Sequence, residues 1–377
     1  MDREKCTRYA DELQKFVMDH TSDVLKQPRS FIRYPFIDPG SVYDGNVWDW
    51  DTYWPEPYLN MKHKEGVLMN MHKPFLCSQI VLISEYINDY SWCERYFDNL
   101  EKYFECYDRN YYFEHCGLYV WCDDIMIGMD NDPATFGRPK FSTANIFLNS
   151  FLCVELEAME KICGVFGRED RTGHYREKRE KLVEAIQREC WDPRDRFFYS
   201  VDVDIRTRKF DWFHEGLGVF WKTLPIKVRV WSGFIPMYAK IATEEQAAEM
   251  VKHIFDEATF NSDYGVTTLA KDEKMFDLSV TNNPSNWLGP IWLIANYVVF
   301  RGLMNYGYRK EAELMYERTV KLLGTDLEKT GSLHEYYNPF TGEPIMNGGF
   351  INWNILALNM RDELDGKESM AQWRGIK

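Results

Sequence analysis

The chain has 377 residues, enough for a large buried core, with a formal charge of −14 and a pI near 5.2. That acidic balance argues against a nucleic-acid partner, whose phosphates need a basic face, and the charge-free stretch 282–300 is broken by Pro284 and Pro290 short of the roughly 20 apolar residues that a membrane crossing needs. Nine cysteines with no CxxC pair predict reduced, buried thiols in a cytoplasmic protein.

Taken in chain order, the first pattern is helical over 4–19, where mixed charge is not what a secretory leader is expected to show. Helical spacing recurs over 73–89, 91–106, 122–128, 142–163, 172–190 and 215–222. In 142–163 it is carried by Phe147, Phe151, Val154, Ala158 and Ile162, with Ser142 or Thr143 as the cap. Strand-like residues occur only at about 195–213, where "RFFYSVDVD" and "RKFDWF" flank a polar turn and predict a small β-hairpin insertion. Helices follow over 230–241, 243–257, 288–306, 308–323 and 349–361, and the segment 288–306 is apolar nearly all round, as a helix enclosed by others must be.

About twelve helices, some wholly apolar and some amphipathic, predict an all-α chain of two concentric layers, an (α/α)6 barrel. An α-solenoid shares that pattern, although no fixed repeat of about 30–45 residues is visible. No Ser/Gly/Pro-rich linker interrupts the sequence, so a single domain over 1–377 is expected.

Aromatic residues make up 16% of the chain, and many cluster in loops beside acids. Flat apolar faces suit the C–H side of a pyranose ring, and carboxylates suit its hydroxyls. Four stretches carry this signature. In "VWDWDTYW" (47–54), Trp48, Trp50 and Trp54 alternate with Asp49 and Asp51, which fits a ligand-lining loop better than a one-faced strand. In "GMDNDP" (128–133), Asp130, Asn131 and Asp132 fit an Asx turn before Pro133 as well as a site, whereas the calcium-loop register fails because Thr135 stands where the turn glycine belongs. In "NPSNWLGPIW" (283–292), Gly289-Pro290 breaks the chain at a helix mouth between Trp287 and Trp292. In "SLHEYYNPFTGEP" (332–344), Glu335 precedes Tyr336 and Tyr337 and a tight turn, and the neighbouring rings imply a partly buried carboxyl.

These four stretches, in this order, resemble glycoside hydrolase family 63 and the related trehalase-like (α/α)6-barrel enzymes. The similarity is greatest to the short members that hydrolyse mannosylglycerate and glucosylglycerate, and it extends from about residue 30 to 362 once "GFINWN" (349–354), with Trp353, is added. The resemblance implies that Asp130 is the general acid and Glu335 the general base of a reaction that inverts the anomeric carbon. It implies further that Trp50 and Asp51 line the pocket for the non-reducing sugar. Trp48, Asn131, Trp287, Trp292, Tyr336 and Trp353 are the accompanying substrate-binding candidates, and burial beside Met129 is expected to keep Asp130 protonated. Two departures stand out: Leu288 replaces the family's Arg, and Asp132 replaces its Ser. The β-sandwich that precedes the barrel in many members is expected to be absent, given the short stretch ahead of the first motif.

The expected function is therefore an exo-acting, inverting α-glycosidase of α-glucosidase or α-mannosidase type. It acts on a small carbohydrate substrate such as a glycosylglycerate or an α-linked disaccharide, and it needs neither metal nor organic cofactor. Arg138 is the Arg nearest Asp130 that could meet an acidic aglycone. The alternatives are a catalytically inactive sugar-binding barrel, or an unsaturated-uronide hydrolase or epimerase, the last wanting a His pair such as His115 with His334. A homo-oligomer is left open by the composition.

Overall fold

A computed structural model describes residues 2–28, 35–40, 43, 73–123, 127–204, 222–279 and 285–367. Their helices, in chain order, are α1 (Arg3–Asp19), α2 (Thr21–Val24), α3 (Leu76–Ile87), α4 (Ser91–Glu94), α5 (Phe97–Tyr111), α6 (Ile146–Val165), α7 (Glu169–Glu189), α8 (Ile235–Tyr238), α9 (Glu244–Ile254), α10 (Leu293–Asn305), α11 (Arg309–Thr330) and α12 (Leu356–Leu364). The chain divides into two compact units, Met1–Pro55 with Val251–Lys377, and Glu56–Met250.

In the first unit, α1 begins where the Asp2 carboxylate accepts from the Lys5 amide at 2.8 Å, and it buries Cys6, Tyr9, Ala10, Leu13 and Val17 at helical spacing. That stripe lies on α11, and α10 packs on both α11 and α12. Leu13, Val17, Leu293, Leu322, Leu323, Leu333 and Ile351 fill the core among them. The α1–α11 crossing is close because Gly324 has no side chain: a Cβ there would come closer than 3.0 Å to the ring of Tyr9, itself fully buried. Gly324→Ala is therefore expected to destabilise this unit by about 1–3 kcal/mol, the usual range for overpacking, as read by chemical denaturation. A stability equal to that of the parent protein would show that the two helices separate without cost.

A three-stranded antiparallel sheet, Ile291–Trp292, His334–Tyr337 and Pro344–Gly348, joins the helices of this unit. The expected helix 288–306 consequently starts only at Leu293, because Ile291 and Trp292 are held extended by pairing with Tyr337 and Tyr336. Such non-local pairing leaves no trace in a local apolar pattern.

In the second unit, α6 is packed by α3, α7 and α8 and is buried nearly all round. Asn145, whose side chain accepts from the Phe147 amide at 2.7 Å, is its cap, rather than Ser142 or Thr143. Of the expected hairpin, Phe197–Phe198 pairs with Trp191–Asp192, while Val201–Asp202 lies between Thr143–Ala144 and Leu224–Pro225. The second arm, 208–213, lies outside the described residues, as does nearly all of the expected helix 215–222. Over 122–128 only Cys122, Asp123, Ile127 and Gly128 are described: Cys122 and Asp123 bend, Ile127 is in a 3-10 turn, and Gly128 is left-handed with φ 67°.

Among the described residues no helix is long and apolar enough to cross a membrane. None of the nine cysteines among them is joined in a disulfide, and eight are buried.

Candidate active site

Glu335 lies on the central strand of the three-stranded sheet and is 5% exposed. The turn that follows is fixed as its sequence suggests: the Asn338 side chain accepts from the amides of Phe340 and Thr341 at 2.9 and 3.2 Å, and the Gly342 amide closes on the Asn338 carbonyl at 2.8 Å. Both carboxylate oxygens of Glu335 take the hydroxyl of Tyr43, at 2.8 Å each, and Oε2 also accepts from the side-chain amide of Asn347. Two neutral donors thus replace much of the hydration that burial removes.

Tyr43 arrives from 292 positions away. The segment that carries it is seated on the strand end by a bridge between Gly40 and Phe350 and by the Ile351 amide on the Pro39 carbonyl at 3.3 Å. Gly40, with φ +155°, allows that approach, since a Cβ would strike the Gly349 carbonyl. Asn347 comes from the neighbouring strand with φ 53°, a left-handed backbone that Asn tolerates better than other side chains.

Tyr336, next in the strand, belongs to an aromatic cluster. Trp287 and Trp292 stack at 3.9 Å and 14°, and Trp292 stacks in turn on Tyr336 at 4.7 Å and 20°. These three rings are at most 2% exposed, so their faces are spent on one another. Trp353, half-buried and edge-on to Trp292 at 5.6 Å, is the ring of this group with a surface toward solvent. Burial, followed by the adjacent Glu335 charge, drives the Tyr336 phenol well above its ordinary pKa, so the hydroxyl stays neutral.

His334, next in sequence, turns to a buried carboxylate: its Nδ1 is 2.8 Å from Asp326 Oδ2, which also accepts from the Tyr337 hydroxyl at 2.9 Å. His115, in the other unit, has its Nε2 3.1 Å from the Lys222 carbonyl.

In the second unit, the "GMDNDP" loop corrects one expectation. Met129 is buried, with the Trp231 indole N–H directed at its sulfur at 3.2 Å, but Asp130 is exposed and Asn131 half-exposed. Burial falls on Asp132 instead, at 2% exposure. Its carbonyl accepts from the Thr135 and Phe136 amides at 2.9 and 2.8 Å, and its Oδ2 accepts from Thr135 Oγ1 at 3.2 Å and from Asn145 Nδ2 at 3.5 Å. Asp132 therefore fastens the loop to the cap of α6, and Asp130 with Asn131 projects between the two fastened residues, Met129 and Asp132. Arg138, the residue considered for an acidic aglycone, is already committed: its guanidinium holds Asp202 at 2.5 Å and Thr143 at 2.9 Å.

Burial lifts the Asp132 carboxyl to about 6, and it lifts Glu155 to about 7 although that residue accepts from the amides of Cys77 and Ser78 at 2.7 and 2.9 Å and so caps α3. Both folded values exceed the unfolded ones, so each group contributes stability that is complete below about pH 4 and is lost as pH rises through 6 to 7. Stability is expected to fall by a few kcal/mol between pH 5 and 7 and to fall less in Glu155→Gln, as read by denaturant titration across that range. An unchanged slope in the variant would remove Glu155 from the account.

Trp48, Trp50 and Asp51 lie outside the described residues. Sequence reasoning missed Tyr43 and Asn347. The Asn-Gly-Gly run at 347–349 was the available signal for a left-handed turn beside the acid, whereas nothing in "SVYDG" points to residue 335.

Residues 70–353 match the family model described as a mannosylglycerate hydrolase MGH1-like glycoside hydrolase domain. The class is thus glycoside hydrolase. This chain belongs to the MGH1-like glycoside hydrolase family, as the four motifs led one to expect.

A mannosylglycerate hydrolase of Rubrobacter radiotolerans is 23% identical over 203 residues, 54% of this chain and 40% of that protein. Mannosylglycerate hydrolase MGH1 of Selaginella moellendorffii is 30% identical over 125 residues, 32% of this chain and 22% of that protein. The chain therefore matches between about a fifth and two fifths of the length of these curated relatives. The crystal structure of a GH63 mannosylglycerate hydrolase from Thermus thermophilus, with Tris and D-glycerate, superposes with a TM-score of 0.60 at 16% identity, over 92% of this chain and 87% of that one. That likeness shows the fold, which is of the all-α (α/α)6-barrel class.

Proposed function

We propose that this glycoside hydrolase is an exo-acting, inverting α-glycosidase for small α-glycosides of the mannosylglycerate or glucosylglycerate type. Glu335 serves as general base and Asp130 as general acid. The observation that carries the reading is Glu335 itself: a buried carboxylate that accepts from Tyr43 and Asn347, next in sequence to the aromatic cluster of Tyr336, within the family-matched span. A base that activates water has to be ionised and fixed in direction, and donors such as Tyr43 and Asn347 favour both.

In an inverting reaction the acid protonates the leaving oxygen while the base takes a proton from water on the opposite face of the sugar. Asp130 is an exposed residue on an anchored loop, so in this reading the bound sugar adds the desolvation that shifts it toward the protonated form. Trp353 offers the stacking face, with Trp287, Trp292 and Tyr336 packed behind it. Trp48, Trp50 and Asp51 are assigned to the sugar by resemblance alone. Mannosylglycerate is the substrate named for the bacterial and plant relatives, and mannosyl-oligosaccharide glucosidase is the name of a yeast one. The reading also places the enzyme in the cytoplasm, which suits eight buried thiols.

The test is a panel of α-glucosides, α-mannosides and α-galactosides with their glycerates, each followed by NMR from the first turnover. The β-anomer is expected as first product from a mannosyl- or glucosylglycerate. An α-anomer would overturn inversion, and binding by calorimetry without product across the panel would favour a sugar-binding protein.

A further inference from the structure

We infer that Tyr43 and Asn347 are the positioning residues of the general base, a pair that sets both the direction and the ionisation of the Glu335 carboxylate. The inference rests on the reading of Glu335 as base. The geometry is that of a three-membered ring of contacts. The Tyr43 hydroxyl lies 2.8 Å from each carboxylate oxygen, Asn347 Nδ2 donates to Oε2, and the same Nδ2 lies 3.2 Å from the Tyr43 oxygen. A hydroxyl equidistant from both oxygens lies near the bisector of the carboxylate, and a second donor on Oε2 removes the remaining freedom to rotate.

Three features of the fold are explained by this role. Asn347 holds a left-handed backbone inside a strand whose register with His334–Tyr337 shifts at Tyr336/Tyr337, an arrangement that costs of order 1 kcal/mol or more and that turns the amide onto the acid. The segment ending at Tyr43 crosses Gly349 at a distance only glycine permits, at Gly40. The Tyr43 ring meets Phe350 edge to face at 6.2 Å, and Phe350 stacks on Trp353 at 5.5 Å and 30°. The residue that steadies the base is thus coupled through one ring to the proposed sugar-stacking face, so sugar and base are held by a shared support.

Tyr43→Phe removes the hydroxyl and keeps the ring. Asn347→Gly removes the amide and suits the left-handed backbone, so it serves as the variant with the smaller folding penalty. Both are measured on the panel substrate with the highest wild-type turnover, beside Glu335→Gln, after thermal unfolding confirms a folded protein. Each is expected to lower kcat by about 10–100-fold with KM changed less than about threefold, the cost of a misdirected catalytic group. Each is also expected to move the acid limb of the kcat/KM profile to higher pH, since donors to a carboxylate favour its charged form. A kcat close to that of wild type and an unmoved acid limb in both variants, with Glu335→Gln inactive, would overturn the positioning role while leaving the base in place. Activity in Glu335→Gln would instead overturn the base on which it rests.

Discussion

Glu335→Gln is expected to lose hydrolysis of every α-glycoside that the wild-type enzyme cleaves, by about 10²–10⁴-fold in kcat, the range that general base catalysis supplies. Gln preserves the volume and can still accept from Tyr43 and Asn347 through its oxygen, so the strand and the aromatic cluster should persist. What disappears is the basic oxygen. Because the water has to be activated whatever the leaving group, the loss should be the same for a glycerate and for an aryl aglycone. A loss confined to poor leaving groups would assign Glu335 to protonation instead.

Asp130→Asn is the complementary case. It is expected to cost a similar factor with a glycerate aglycone and far less with a nitrophenyl one, whose oxygen leaves without a proton. The exposed position of Asp130 sharpens the expectation. If the sugar supplies the desolvation, the basic limb of kcat, which reports the complex, should lie at higher pH than that of kcat/KM, which reports the free enzyme. Coincident limbs would mean that the acid is tuned before substrate arrives. Turnover of the glycerate substrate near the wild-type rate in Asp130→Asn would move the role elsewhere on the loop, with buried Asp132 the first residue to examine.

Much of this was legible in the residues. Helical spacing placed α1, α6 and α7 to within a few residues and the start of α11 to within one, because their buried residues recur with the turn, while α11 runs on to Thr330, seven residues past the expected end. The acid before two tyrosines and "NPFTGE" was legible as a carboxylate fixed by a turn, because Asn and Gly carry that geometry locally. Three things were not. The late start of α10 depends on a strand far downstream, where Tyr336 and Tyr337 pair with Trp292 and Ile291. The exchange of burial between Asp130 and Asp132 depends on Asn145 and Trp231, which local sequence does not bring to the loop. The donors on Glu335 depend on Gly40 meeting Gly349. In each case a deciding contact lies beyond the reach of a local pattern, from 13 positions for Asn145 with Asp132 to 292 for Tyr43 with Glu335.

The pairing of α1 with α11 has a consequence for how the first unit comes into being. Arg8 and Tyr9 meet Glu328, 320 and 319 positions later, and Tyr43 meets Glu335 across 292. During synthesis, at about 5–20 residues per second, α1 leaves the ribosome roughly 15 to 60 seconds before its partner exists. Through that interval its stripe of Tyr9, Leu13 and Val17 has no native surface to cover it. Closing so large a loop adds little to the equilibrium cost, which grows only with the logarithm of its length, but it delays the contacts that reward closure. This unit is therefore the one expected to need a chaperone's shelter, and the last to acquire its native contacts as the chain is made.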